Sequence, residues 1–252
     1  MHLGHPQFRR AVLCPLVLLP LASAYARADA ADNGIDAQSV QWKLTTSYYA
    51  NSDDSHAEDL NLRADFGDQR IWIGDYQDSR GFHQTRAGFD AVTQIGVVNL
   101  DFSGQAASGG FFGGSITSQI GGDNYAIAGF GRTDLHSYYN LNFDPNDAIT
   151  AGFGSKALLQ NLEVQLFHIW DDRLPTHQHV THLLLHYDVS KDRHWSVDAA
   201  YKHGLADPMV YVRGYALSAT YAWGRLFARL AYDQHANFAV PNQARLSVGM
   251  LF

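Results

Sequence analysis

Residues 243–252 read QARLSVGMLF, and this stretch shows the clearest repeating pattern in the sequence. Apolar residues alternate with polar or small ones along its whole length. The apolar set is Ala244, Leu246, Val248, Met250 and Phe252. A period of two is the pattern of a β-strand that presents one apolar face. The sequence therefore predicts a C-terminal strand whose apolar face ends on an aromatic residue.

Segments of similar length with the same alternation recur from residue 40 onward. Glycine, asparagine, aspartate and proline separate them, as expected for turns. Fourteen strands are predicted, at 40–50, 58–66, 70–78, 83–92, 95–105, 110–119, 122–132, 147–155, 160–171, 178–189, 194–203, 210–222, 225–235 and 243–252. Residues 137–143 also alternate, so twelve and sixteen strands stay open as alternatives.

The composition narrows the class of protein. The 252 residues are 46 % apolar, 17 % charged and 13 % aromatic, which excludes a disordered chain. The single cysteine, Cys14, excludes a disulfide scaffold, and a formal charge of −7 gives no indication of nucleic-acid binding. We therefore expect no nucleic-acid partner and no cofactor.

The N-terminal segment has the features of a secretory signal peptide. Two arginines precede residues 11–22 (AVLCPLVLLPLA), and alanines with Ala-x-Ala spacing follow. This apolar segment is too short to span a bilayer as a permanent helix. We predict that residues 1–30 are a cleaved signal peptide, that 31–39 form a short periplasmic tail, and that 40–252 form one domain.

A soluble sandwich would alternate in the same way, so the choice of architecture depends on the two faces. Lipid requires every backbone polar group to be paired within the protein, so a sheet in a membrane must close. Full charges on the polar faces, with aromatic girdles around an apolar band, indicate such a barrel. The aromatic residues near predicted strand ends are Tyr48, Tyr49, Trp72, Tyr76, Trp170, Tyr187, Trp195, Tyr201, Tyr215, Tyr221, Trp223 and Tyr232. The predicted fold class is all-β, a single transmembrane antiparallel up-and-down barrel.

In its alternating strands and its terminal Phe252, the chain resembles bacterial outer-membrane β-barrel proteins of the porin-like kind. In that class the terminal aromatic strand is read by the barrel-assembly machinery, so the resemblance implies an assembly signal at Met250 and Phe252. Residues 187–193 (YDVSKDR) are similar to a short periplasmic turn of general porins, with departures at Val189 and Asp192. The resemblance implies a Gram-negative outer membrane, with lipid and lipopolysaccharide around the barrel.

Connection lengths predict the orientation of the strands. The short turns at 67–69, 93–94, 121–122 and 224 are expected to be periplasmic. The longer connections at 51–57, 79–82, 133–146, 172–177 and 236–242 are expected to be extracellular. The two sets do not alternate cleanly in this interpretation, which indicates errors among the predicted strands.

Charged residues on the polar faces are the candidates for the lining of a pore. They are Lys43, Arg63, Asp65, Arg86, Asp90, Glu163, Asp198, Lys202, Arg225, Arg229, Asp233 and Arg245. Fourteen strands lie between small barrels, which side chains fill, and larger porins with an aqueous channel. The leading hypothesis is a passive channel for small solutes with a weak anion preference, since seven of these residues are basic. A structural or export-associated barrel without conductance, held by salt bridges, is an alternative.

Metal binding and lipid hydrolysis are the two other kinds of chemistry for which the sequence contains suitable residue types. Six histidines lie between residues 168 and 194, and imidazoles two residues apart on one face can bind a metal, but no carboxylate partner completes a site. An interfacial lipid hydrolase, the other alternative function, needs serine and histidine at neighbouring outward positions. His136 and Ser137 are adjacent, and adjacent residues on a strand point to opposite faces. We therefore predict no catalytic and no metal-binding residues.

Overall fold

A computed structural model describes residues 40–139, 144–207 and 210–252. The predicted signal peptide and periplasmic tail lie outside these ranges. Fourteen strands are formed: β1 (Gln41–Asn51), β2 (His56–Phe66), β3 (Gln69–Asp78), β4 (His83–Ile95), β5 (Val98–Ala107), β6 (Phe111–Gly121), β7 (Asn124–Thr133), β8 (Ala148–Leu159), β9 (Leu162–Asp171), β10 (His179–Ser190), β11 (Arg193–Asp207), β12 (Val210–Trp223), β13 (Leu226–Asp233) and β14 (Gln243–Leu251). No helix among the described residues is long and apolar enough to cross a membrane.

The strands form a single closed barrel. Each strand pairs antiparallel with its neighbours in sequence, and β1 pairs with β14 from Lys43–Leu251 to Asn51–Gln243. Closure pairs the backbone groups that an open sheet would leave exposed at its edges. The predicted fourteen-stranded all-β barrel is confirmed. Residues 137–139 belong to no strand, and 140–143 lie outside the described part of the chain.

One end of the barrel carries turns of two residues, and in four of them a glycine or an asparagine adopts positive φ. The angle is 68° at Gly67, 60° at Gly96, 62° at Asn161 and 58° at Gly224. Tight hairpin turns need such left-handed residues because their twist then matches that of the strands. The turn predicted at 93–94 is wrong for this reason: β4 continues past it, and the chain reverses at Gly96.

The longer connections all lie at the other end of the barrel. They follow odd-numbered strands, whereas the two-residue turns follow even-numbered ones, so the expectation that the two sets fail to alternate is wrong. Short turns are periplasmic and longer loops extracellular in outer-membrane barrels, which orients this chain. The extracellular connections that the structure describes in whole or in part are 52–55, 79–82, 108–110, 134–147, 172–178 and 234–242.

The outer face of the barrel is an exposed apolar band. Large side chains such as Leu60, Ile73, Phe153 and Leu230 are more than half exposed. A continuous apolar surface of this size is unfavourable in water and matches the lipid-facing band of a membrane barrel. This surface and the closure of the sheet together support insertion in a membrane.

Three residues predicted for the aromatic girdles point inward instead. Tyr49 and Tyr76 are almost fully buried inside the barrel. Trp72 pairs with Arg63 and Gly88 on the inward face. A Cβ at Gly88 would lie 2.6 Å from the indole ring, so glycine provides the space that this ring needs.

Candidate functional site

The strand register determines which charged side chains face the interior. Eleven of the twelve predicted lining residues occupy inward positions: Lys43, Arg63, Asp65, Arg86, Asp90, Glu163, Asp198, Lys202, Arg229, Asp233 and Arg245. The remaining one, Arg225, lies in the two-residue turn between β12 and β13 and is exposed. Its assignment to a strand placed it inward, whereas the turn carries it to the rim.

Several interior charges were missed in the sequence. Asp59, Arg70, Asp101 and Asp188 all share the inward face of their strands. The alternation signal was present for each of them; Asp59, for example, lies two residues before Asn61 on the polar face of β2. With these residues added, acids are at least as numerous as bases in the interior. The count behind a weak anion preference therefore no longer holds.

Two buried ion pairs link strands across the extracellular half of the interior. The Arg86 guanidinium donates to the Asp59 carboxylate, and the Lys202 ammonium donates to Asp233. All four side chains are at least 95 % buried. Buried charges are stable only when paired, so each pair fixes its two strands in one arrangement.

The loop after β7 enters the barrel. Tyr138 is buried against Phe111, with ring centroids 4.4 Å apart, and donates a 2.9 Å hydrogen bond to Gln105. Tyr139 stacks on Tyr76 at 3.8 Å. These contacts hold an aromatic segment of the loop against the inner wall.

A single glutamine holds the backbone of this loop segment. The Gln84 side chain donates a hydrogen bond of 2.9 Å to the Ser137 carbonyl and accepts one of 2.8 Å from the Tyr139 N–H. Gln243 Nε2 donates to the Tyr139 hydroxyl at 3.1 Å. The loop is therefore attached to β4 and to β14, which lie on the same side of the barrel.

The later part of the same loop is held by a histidine. His182 Nε2 lies 2.9 Å from Asp144 in the loop, and Nδ1 lies 3.0 Å from Asp198 on β11. The ring stacks on Phe167 at 4.8 Å and is almost fully buried. A carboxylate at each ring nitrogen requires an N–H on both, so the arrangement fits an imidazolium.

The last extracellular loop also folds inward. Its short 3₁₀-helix, Ala236–Phe238, is buried. Phe238 packs with Val180, Ala200 and Val212 on the inner wall. Two loops thus narrow the extracellular half of the barrel.

A small cavity remains between Asp144 of the loop after β7 and the inner wall. Its volume is about 50 Å³, and Asp144, His182, Asp198, Lys202 and Arg245 are among its lining residues. This is room for a few water molecules. The interior at this level is therefore polar and narrow.

In the periplasmic half, basic side chains form an arc along β1, β2, β3 and β13. Asp65 bridges Arg63 at 2.8 Å and Arg70 at 2.6 Å, and these three side chains keep 13–22 % of their surface exposed. Lys43 Nζ lies 4.0 Å from the ring centroid of Phe227. Unlike the buried pairs above, these charges retain contact with water.

The wall away from this arc carries small side chains. Ser103 on β5 and Ser115 on β6 hydrogen-bond to each other at 2.7 Å, and Thr117 and Gly129 follow on the same face. Such residues extend little into the barrel. The inward residues of the periplasmic half are mostly partly exposed, whereas those of the extracellular half are mostly buried, so the periplasmic half is less filled.

Neither metal binding nor interfacial lipid hydrolysis gains support from the structure. Among the residues that the structure describes, no group of three or more histidine, cysteine or acidic side chains could hold a metal ion. His136 Nδ1 lies 3.0 Å from Asp134, and both residues, like Ser137, belong to a loop and not to outward strand positions. This arrangement lacks the serine and histidine placement that an interfacial hydrolase needs.

Comparisons with known proteins agree on the fold. No family model and no curated protein matches the chain. The crystal structure of the Acinetobacter baumannii outer membrane protein Omp33 is similar at 10 % identity and a TM-score of 0.58, over 86 % of this chain and 100 % of that one. A mutant of the Rh. blastica porin matches at 10 % identity and a TM-score of 0.48, over 85 % of this chain and 99 % of that one. The KdgM porin matches at 12 % identity and 0.45, over 82 % and 98 %.

The closed fourteen-stranded barrel, its apolar band and the structural match to Omp33 define the fold of this protein. It has the fold of the porin-like β-barrels of bacterial outer membranes. The predicted fold class is confirmed, and the apolar band supports the predicted location in a membrane.

Proposed function

We propose that the protein is a passive channel that admits small polar solutes through the barrel interior. The observation that carries this proposal is the charged arc, in which Arg63, Asp65 and Arg70 stay partly exposed inside the barrel. A barrel filled only for rigidity would bury these paired charges completely, as it does with Arg86 and Asp59. Partial exposure inside a closed barrel means contact with interior water.

The two inward loops set an upper limit on the size of the solute. Tyr138, Tyr139 and Phe238 occupy the extracellular half, and the adjoining cavity is about 50 Å³. Interior charges of both signs favour ions and small polar molecules over apolar ones, because a charged wall solvates polar groups. We infer a narrow channel of low conductance.

Cysteine labelling tests whether the interior is the path. The only native cysteine, Cys14, lies in the predicted signal peptide, so an introduced cysteine would be the only thiol of the cleaved chain. Ser115→Cys places a thiol on the inward wall, whereas Ala128→Cys places one on the outer face of the same hairpin. A bulky cationic methanethiosulfonate reagent should lower the conductance of the first variant by at least half and leave the second unchanged.

The control for this experiment is the extent of labelling, measured by mass spectrometry on both variants. Full labelling of Ser115→Cys with unchanged conductance would show that solutes do not pass this wall. An equal loss in both variants would mean that the reagent acts on the barrel as a whole.

We also infer that the chain is exported and assembled by the general route of such barrels. The proposed steps are cleavage of residues 1–30, a short periplasmic tail at 31–39, and recognition of Met250 and Phe252 by the barrel-assembly machinery. Their support is the composition of the N-terminal segment and the outward, exposed position of both C-terminal side chains. Mass spectrometry of the mature protein would measure the new N-terminus directly.

A further inference from the structure

A row of cationic and aromatic side chains crosses four strands on the outer face at the extracellular end. His179 on β10 pairs directly with Trp170 on β9 and with His203 on β11, and His203 pairs with Arg213 on β12. Residues directly opposite on neighbouring strands point to the same side of the sheet. These four side chains therefore form one continuous row, which we call the rim row.

The level of the rim row follows from the rows beneath it. The next row towards the periplasm is His168, Thr181, Tyr201 and Tyr215. The row after that is Leu166, Leu183, Ala199 and Leu217, which begins the apolar band. The rim row thus lies just outside the hydrocarbon level, where lipid headgroups and amphipathic rings are found.

The histidines of these rows contact one another. His168 Nε2 lies 3.1 Å from His179 Nδ1, and the rings of His179 and His203 stack at 4.9 Å. His203 Nδ1 lies 2.8 Å from the Tyr211 hydroxyl. If His168 donates to His179 and Tyr211 donates to His203, both rim-row histidines carry their proton on Nε2. Two imidazole N–H donors then lie side by side on the outer face of the barrel.

The charge of this surface differs from that of the outer surface on the far side of the same extracellular rim. On β3 and β4 the outward His83 is paired with Asp75 at 2.9 Å. The rim row and the row beneath it contain no carboxylate, and Arg213 forms no ion pair with any residue that the structure describes. Its guanidinium lies 5.5 Å from the Tyr211 ring. The carboxylate near His179, that of Asp171, lies on the inward face of β9 and accepts hydrogen bonds from Thr176 and from the backbone of its own loop. The two rows therefore offer donors and a positive charge with no acid among their own side chains.

We propose that the rim row binds a phosphate group of lipopolysaccharide in the outer leaflet. Arginine and imidazole N–H groups are suited to phosphate oxygens, and arginine can bind two of them at once. Trp170, Tyr201 and Tyr215 provide flat amphipathic surfaces at the level of the lipid sugars. The site lies on the outside of the barrel and is independent of any path through it.

The test measures binding of lipopolysaccharide to the purified full chain in detergent, by titration of intrinsic fluorescence or by native mass spectrometry. The variant is His203→Gln with Arg213→Gln. The matched control is His83→Gln, on the far side of the same extracellular rim. The double variant should bind at least tenfold more weakly, whereas the control should bind like the wild type. Enzymatically dephosphorylated lipopolysaccharide should bind the wild type at least tenfold more weakly than the intact lipid.

Each further outcome is decisive. Equal affinity of the double variant and the wild type would overturn the proposal. So would equal binding of intact and dephosphorylated lipid to the wild type, a comparison that needs no variant to fold. Inorganic phosphate should displace lipopolysaccharide only at millimolar concentration. Displacement at micromolar concentration would identify a site for free phosphate and contradict the proposal that lipopolysaccharide is the ligand.

Discussion

Individual interior residues fall into two groups, fully buried pairs and partly exposed charges, and the two groups have different consequences. Asp59→Asn leaves the Arg86 guanidinium buried without an opposite charge. Breaking a buried pair in this way costs about 3–5 kcal/mol. We expect a marked fall in the urea midpoint of the barrel refolded into lipid vesicles.

The matched control is an exposed aspartate–arginine pair at the extracellular end. Asp53 pairs with Arg80 in this position, and a hydrogen bond from the Ser55 hydroxyl lowers the pKa of Asp53. Asp53→Asn should leave the urea midpoint unchanged, because water screens exposed pairs. If both variants shift the midpoint equally, burial is not what gives the interior pair its importance.

For individual residues, the sequence predicted well which side of the sheet each side chain faces. It predicted poorly which other side chains each one contacts. Alternation was sufficient to turn Lys43 and Asp198 inward, since parity along a strand fixes the side of the sheet. It gave no indication that Arg86 would meet Asp59, because that contact depends on the register across two hairpins. His182 shows the same limit, because one of its carboxylate partners comes from a distant loop.

Among the structural elements, the loop after β7 has the most direct consequence for conduction. Gln84→Leu removes both hydrogen bonds to the backbone at Ser137 and Tyr139 while keeping the side-chain size. The loop segment should then leave the wall more often, so single-channel conductance should rise and become noisier. Gln119→Leu, an inward glutamine on β6 away from this loop, should conduct like the wild type. A quiet, unchanged conductance in Gln84→Leu would show that the loop does not limit the path.

The C-terminal strand carries the prediction about assembly. Met250→Ser with Phe252→Ala should reduce the amount of folded protein in the outer membrane several-fold, because the strand loses outward apolar contacts and its terminal aromatic residue. Phe153→Ala with Leu166→Ser changes outward, exposed apolar residues on β8 and β9, far from the C-terminus. The yield is measured by heat-modifiable mobility on gels. Equal losses in both variants would indicate a general effect of apolar area and not a terminal signal.

The elements themselves could be predicted almost entirely from the sequence. Binary alternation sets where each strand runs, and glycine at positive φ sets where it reverses, as at Gly96. The ambiguity concerned residues 137–143, whose alternation resembles a strand although the fourteen predicted strands did not include them. Tyr138 and Tyr139 are instead anchors of an inward loop, and only the finished barrel provides the surfaces against which they pack.

For the whole molecule, the distribution of charge around the interior should set ion selectivity. Arg63→Glu with Arg229→Glu reverses charge in the basic arc, so the reversal potential across a salt gradient should move towards cations. The shift should be largest at low salt, where screening is weakest. Arg225→Glu, in the exposed turn, should shift it much less. Equal shifts from the two changes would mean that net charge, and not the lining, controls selectivity.

Planar-bilayer recording shows whether solutes pass through the interior of this barrel. Purified protein, shown to be folded by its heat-modifiable mobility, is added to one side of a membrane in concentrated potassium chloride. We predict discrete, ohmic conductance steps, smaller than those of wide porins because two loops narrow the barrel. Insertion of folded protein without any conductance steps would contradict the proposed channel function and would favour a closed barrel with a structural role.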